Sequence, residues 1–311
     1  MPFDEETGLV SPTGAKLALF IHHARGKPAG IVQINHGLAE HARRYARFAD
    51  ALASRGFHVY AHDHRGHGLT RAPDAPAGRF AATDGVATLL GDVDAVHALI
   101  AERHPGLPQI IFGHSMGGLV ALNSVLRRSD RLAGAAIWNA NFSAGLLGRL
   151  AQAILAWETF RLGSDVPSRI LPKLTFQDWG RKVPDARTAF DWLSRDPAEV
   201  GAYIADPLCG WDASVSMWRD VFRMVFTGAD DRSFAGVRRD LPFHLAGGGA
   251  DPSTDNGKAV EQLAARMRAM GFSNLETRIW PETRHEGLND INRDDITADF
   301  IGWVERVVSA T

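Results

Sequence analysis

Gly113-His114-Ser115-Met116-Gly117 sets a serine between two glycines, directly after the apolar run Gln109-Ile110-Ile111-Phe112 and before a helix-like segment. A serine at a sharp strand-to-helix reversal has its hydroxyl pushed outward, and the flanking glycines remove side chains that would collide as strand and helix close. The N–H groups opening the next helix point at the same spot, so an oxyanion formed there meets a positive dipole. The chemistry this favours is attack by Ser115 on a carbonyl carbon. Glycine-rich chains produce the pattern by chance, so its context matters. Here Leu119, Val120, Leu122, Val125 and Leu126 recur at helical spacing before the polar exit Arg127-Arg128-Ser129-Asp130.

A serine hydroxyl is a poor nucleophile at neutral pH, so a base must take its proton and a carboxylate must orient the base. Where a strand-to-helix elbow of this kind sits in an α/β-hydrolase sheet, the chain order is Ser, then Asp or Glu, then His. After Ser115 the histidines are His244 and His285. His244 lies inside the apolar run Pro242 to Ala246 and reads as a packed core residue. His285 follows Ile279-Trp280-Pro281-Glu282-Thr283-Arg284, a loop leaving a strand, where a mobile imidazole is expected. Asp251, just past the strand His244-Leu245-Ala246 and Gly247-Gly248-Gly249-Ala250, is the preferred acid. Asp230, Asp231 and Asp255 are alternatives, while Asp290, Asp294 and Asp295 read as solvated turn residues capping the last helix. For the oxyanion, the Met116 N–H needs a second donor. The strand Ile31 to Asn35 ends in His36-Gly37-Leu38, which makes the Leu38 N–H the candidate.

Strand-like and helix-like runs alternate through most of the chain, which implies a mostly parallel sheet covered by helices on both faces. The expected strands are 17–21, 30–35, 58–62, 109–112, 135–138, 242–246 and 275–280. Expected helices cover 44–53, 86–102, 217–226, 259–270 and 296–308. The rhythm breaks at 142–212, where helix-like stretches at 146–161 and 186–193 flank a proline-punctuated segment. This reads as a helical lid inserted between core segments 1–141 and 213–311. Leu146, Leu147, Leu150, Ala153, Ile154 and Trp157, with Phe160 beyond, give its first helix a broad apolar face. Packing on the core is the first explanation for that face; a greasy entrance for an acyl chain, or docking on lipid, is the other.

The 311 residues are 45% apolar with a formal charge of −2, and no long basic run favours nucleic acid or an anionic bilayer. A small molecule is the expected partner. Cys209 is the only cysteine, which rules out an internal disulfide and argues against a thiolate metal cluster. The acidic start Met1-Pro2-Phe3-Asp4-Glu5-Glu6-Thr7 lacks the features of a secretory signal, and no run is long enough for a membrane span. A cytoplasmic protein is expected, with transient lipid contact open and the oligomeric state unassigned. Asp63-His64-Arg65-Gly66-His67-Gly68 is dense in metal-ligand types, but Arg65 would repel a cation and the glycines suit a tight turn, so no metal or cofactor is expected. His22-His23 reads as a solvent-exposed strand edge.

Taken together, His36-Gly37-Leu38-Ala39-Glu40-His41 with Arg44-Tyr45, Asp63 to Gly68, His104-Pro105-Gly106-Leu107-Pro108, Gly113 to Gly118, and the late Asp251 and His285 resemble the monoglyceride lipase and lysophospholipase branch of the serine α/β-hydrolases. The resemblance implies Ser115 as nucleophile, Asp251 and His285 as its partners, and the Leu38 and Met116 N–H groups as oxyanion donors. The chain departs from that pattern in Asn139-Ala140-Asn141-Phe142, in Gly68-Leu69-Thr70, and in the glycine run before Asp251. The expected function is cleavage of a carboxylic ester, most simply a monoacylglycerol or related lipid ester. An acyltransferase, a short-chain carboxylesterase and a non-catalytic binding protein on the same fold are the alternatives.

Overall fold

The computed structural model describes residues 2–143 and 145–310. Among them, eight strands form one sheet in the order β1-β2-β4-β3-β5-β6-β7-β8. These are β1 (Glu5–Val10), β2 (Lys16–His22), β3 (Gly30–Asn35), β4 (Phe57–His62), β5 (Gln109–His114), β6 (Gly134–Trp138), β7 (Phe243–Gly248) and β8 (Leu275–Trp280). β2 runs antiparallel to both its neighbours, and every pair from β4 to β8 is parallel. The helices are α1 (Ala46–Ala53), α2 (Gly85–Arg103), α3 (Met116–Arg128), α4 (Leu146–Leu162), α5 (Leu171–Leu174), α6 (Phe176–Arg181), α7 (Pro197–Ala205), α8 (Val215–Ala229), α9 (Lys258–Ala269) and α10 (Arg293–Ser309).

Successive residues of a strand face opposite sides of the sheet, and this divides the core in two. Ile111, Ala135, Ile137, Phe243 and Leu245 pack with α2, α3, α8 and α9. Ile110, Phe112, Ala136, Trp138 and Ala246 pack on the other side, with Phe48 and Leu52 of α1 and Phe300, Trp303 and Val304 of α10. Strands buried on both faces are what the unbroken apolar runs of the sequence require. The carboxyl ends of β3, β5, β6, β7 and β8 lead into the loops of interest.

Three expectations need correction. Residues 186–193 form turns, because Asp191 accepts hydrogen bonds from the Arg187 N–H and the Thr188 hydroxyl and so competes with helical bonding. The helix starts later, at Pro197, after the side-chain cap of Asp196. On α4, Gly148, Ala151, Leu155 and Glu158 are the buried residues, while Leu146, Leu150, Trp157 and Phe160 face outward; the side chain of Leu147 lies outside the described residues. The Glu158 carboxylate earns its buried place by accepting from the Ser168 hydroxyl and the Arg169 N–H. His22 is buried against Phe3, whereas His23 is exposed as expected. No helix among the described residues is long and apolar enough to cross a membrane.

The segment after β4 is a packing device. Arg65 is fully buried, and donates to Asp92 at 2.7 Å and to the Phe80 carbonyl at 2.8 Å. Around it, His36, His62, His64 and His67 form a buried ring cluster with centroids 4.4 to 6.4 Å apart. Burial pushes His36 and His62 down to about 4, and holds His64 and His67 well below the ordinary imidazole range. Between pH 6.5 and 4 the unfolded chain therefore binds protons that the folded chain refuses, so stability falls as pH falls through this window. Urea midpoints measured from pH 7 to 4.5 are expected to drop accordingly, and His62→Phe is expected to flatten the slope. A midpoint unchanged down to pH 4.5 would contradict the neutral cluster.

Candidate active site

Ser115 occupies the reversal between β5 and α3 with φ 56° and ψ −121°, a conformation that a non-glycine residue holds only when its surroundings enforce it. Those surroundings are close backbone. A β-carbon on Gly113 would lie 1.9 Å from the Gly117 carbonyl oxygen, and one on Gly117 would lie 2.0 Å from that of Asn35. The Ser115 N–H donates to the Trp138 carbonyl at 2.9 Å, which fixes the bend against β6.

The loop after β3 lies against the elbow: a β-carbon on Gly37 would be 3.4 Å from Ser115 Cβ. Its orientation follows from His36. The His64 N–H donates to His36 Nε2 at 2.9 Å, so the ring proton is on Nδ1, which donates to the Gly37 carbonyl at 2.7 Å. In a planar trans peptide the Leu38 N–H then points the opposite way. Among the described residues neither Leu38 N–H nor Met116 N–H donates to a protein acceptor.

His285 and Asp251 come together from the ends of β8 and β7. His285 Nδ1 lies 2.9 Å from Asp251 Oδ2. The glycines before Asp251 make this possible and are not loose. A β-carbon on Gly248 would fall 2.2 Å from the Thr283 carbonyl oxygen, and one on Gly249 would fall 2.5 Å from that of Pro281. The Gly249 and Ala250 N–H groups bond the same segment at 2.8 and 3.0 Å. Four further contacts surround the carboxylate: Asn139 Nδ2 and Thr254 Oγ1 reach Oδ2, and the Ser253 N–H and hydroxyl reach Oδ1; Ser253 Oγ also lies 2.9 Å from His285 Nδ1. Burial pushes this carboxyl up, but the charge of His285 and the bonds from His285, Asn139 and Ser253 outweigh it and bring it down to about 2.

Leu38, Ser115 and His285 line one pocket, walled by Phe176, Phe190, Trp192, Leu193 and Tyr203. His285 is more confined than a mobile loop histidine: it is buried, its ring packs on Trp192 at 4.8 Å, and its backbone N–H donates to the Trp192 carbonyl. The other sequence candidates lie apart. His244 is buried between Trp138 Nε1 and Asp299, Asp230 pairs with Arg232, Asp231 with Arg266, and Asp255 with Lys258. Asp290, read as solvated, is fully buried and accepts from the Arg284 N–H and the Arg195 guanidinium, so it shapes the loop of His285.

Beneath the pocket lies a network that the sequence reading left without a role. Glu40 accepts from the Gly37 N–H at 2.6 Å, the Tyr45 hydroxyl at 2.8 Å and Arg44 at 2.7 Å. Arg44 also holds Glu286 through two bonds of 2.6 Å and lies over the Tyr203 ring. His114 Nε2 contacts the His285 carbonyl at 2.8 Å. Burial pushes His114 down, but Glu40 and Glu286 override it and raise it above the ordinary imidazole range. The i,i+4 pairing of Glu40 and Arg44 was the legible signal; Glu286, 242 positions after Arg44, was not. Arg44→Ala strands two buried carboxylates, and the expected cost is about 3–5 kcal/mol of stability in urea unfolding, with a fall in turnover. Loss below about 1 kcal/mol would show the fork to be idle.

Residues 26–292 match the family model described as serine aminopeptidase, S33. A monoacylglycerol lipase of Mycolicibacterium smegmatis is 26% identical over 282 residues, covering 89% of this chain and 88% of the relative. A lipase in its open form superposes with a TM-score of 0.83 at 26% identity, over 98% of this chain and 99% of that one. A thermostable carboxyl esterase from Bacillus coagulans, in complex with glycerol, has the same fold, with a TM-score of 0.86 at 24% identity and 99% of each chain covered. The chain belongs to the S33 serine aminopeptidase family and is an ester hydrolase on the monoglyceride lipase branch of the α/β-hydrolases.

Proposed function

We propose that Ser115, His285 and Asp251 form a catalytic triad that hydrolyses monoacylglycerols or related lipid esters through an acyl-enzyme. Ser115 Oγ attacks the ester carbonyl while His285 takes its proton, and the Leu38 and Met116 N–H groups receive the oxyanion, each contributing about 3 kcal/mol. His285 then protonates the leaving alcohol, and water repeats the cycle on the acyl group. The observation that carries this reading is the pocket shared by the bent Ser115 and by His285, whose Nδ1 is tied to Asp251 at 2.9 Å. Neither metal nor organic cofactor enters any step.

The substrate class is argued from the walls. Phe176, Phe190, Trp192 and Leu193 offer an acyl chain an apolar surface. The two carboxylates that line the pocket, Glu40 and Glu286, are both committed to Arg44, which leaves no free acid to hold the ammonium of an aminopeptidase substrate. Residues 142–212 act as the lid over this pocket, between core segments 1–141 and 213–311. The outward Leu150, Trp157 and Phe160 of α4 suit a lipid surface carrying the substrate.

A fluorophosphonate is expected to add once to the intact protein and not at all to Ser115→Ala, as read by mass; addition that persists in the variant would remove Ser115 as nucleophile. Hydrolysis of para-nitrophenyl esters of graded length, beside monoacylglycerols, is expected to favour medium or long acyl chains. Preference for acetate would defeat the lipid assignment, and net ester synthesis with added glycerol would make the protein an acyltransferase.

A further inference from the structure

Ser253 belongs to the strand-end loop of Asp251, yet its hydroxyl contacts both partners of the proposed nucleophile. Oγ is 2.7 Å from Asp251 Oδ1 and 2.9 Å from His285 Nδ1. The direction of these bonds can be worked out. A carboxylate held at about 2 is ionised and only accepts, so the single Ser253 proton goes to Oδ1. His285 Nδ1 faces Asp251 Oδ2 at the same 2.9 Å and must carry a proton to bond it. The lone pairs left on Ser253 Oγ therefore face an N–H. Asp251 and Ser253 share that proton as two acceptors in a closed three-membered ring of contacts. The backbone holds the serine in place, since its own N–H donates to Asp251 Oδ1 at 2.9 Å.

We propose that Ser253 is a positioning residue for His285: its hydroxyl is a second acceptor for Nδ1–H, which fixes the tautomer and the angle of the ring in the pocket it shares with Ser115. This deepens the function proposed above and rests on it. Two acceptors at an angle restrain rotation of the ring about its long axis, which a single carboxylate oxygen does not. They also disfavour the tautomer with the proton on Nε2, which would place a lone pair against two oxygens.

Ser253→Ala and Ser253→Thr test it, with melting temperature as the folding control and phosphonate labelling of Ser115 as the control on the triad. Ser253→Ala is expected to lower kcat about ten-fold with KM within about two-fold, and to move the low-field proton resonance of His285 Nδ1–H downfield as Asp251 becomes its sole acceptor. Ser253→Thr, which keeps the hydroxyl, is expected to restore both. An unchanged kcat and resonance in a folded Ser253→Ala that still labels at Ser115 overturns the proposal and leaves the triad standing. Labelling that survives Ser115→Ala overturns the triad itself.

Discussion

The guanidinium of Arg44 sits between two glutamates from opposite ends of the chain, and the geometry of the pocket depends on that fork. Glu40 carries the loop of Gly37 and Leu38, and Glu286 is the next residue after His285. One rigid cation with parallel donors therefore sets the distance between the loop of Leu38 and the loop of His285. His114, next to Ser115, joins the same assembly through the His285 carbonyl. Three loops that would otherwise drift independently are held as one body. A lysine, with a point charge, would lack the fork to hold both carboxylates.

This arrangement explains why local sequence patterns were informative about some residues and silent about others. Ser115 was legible because a strand, two glycines and a helix are contiguous, so the strain they produce is local. Asp251 and His285 could be singled out because each follows the carboxyl end of a recognisable strand, β7 being largely apolar and β8 a mixed run that closes on Ile279 and Trp280. β1 was not legible: Glu5-Glu6-Thr7-Gly8 has no apolar alternation, and the segment becomes a strand only by pairing with β2, from Glu5 opposite Ile21 to Val10 opposite Lys16. Asp290 looked solvated because its partners Arg195 and Arg284 are supplied by folding, one of them from about a hundred residues away. Burial of a charge is a property of its neighbours, and sequence spacing does not report it.

The helix α4 shows the same limit from the other side. Its apolar residues make a broad face, and the simplest reading packs that face inward. The structure instead buries the strip of Gly148, Ala151 and Leu155 against the body, where small residues let α4 approach Phe226 of α8, and turns Leu150, Trp157 and Phe160 outward. Periodicity identifies a helix with two chemically different sides; which side meets the protein is decided by shape as well as by hydropathy.

The glycines ahead of Asp251 have a consequence for how this scaffold can diversify. Because Gly248 and Gly249 lie against the carbonyls of Thr283 and Pro281, the loops of Asp251 and His285 are interlocked at the level of main chain. Neither can gain a residue, or even a methyl group, without displacing the other. Inherited variation and laboratory libraries alike are thereby steered away from this seam and toward the segment between β6 and α8, where new specificities can accumulate while the hydrolytic geometry is carried forward unchanged.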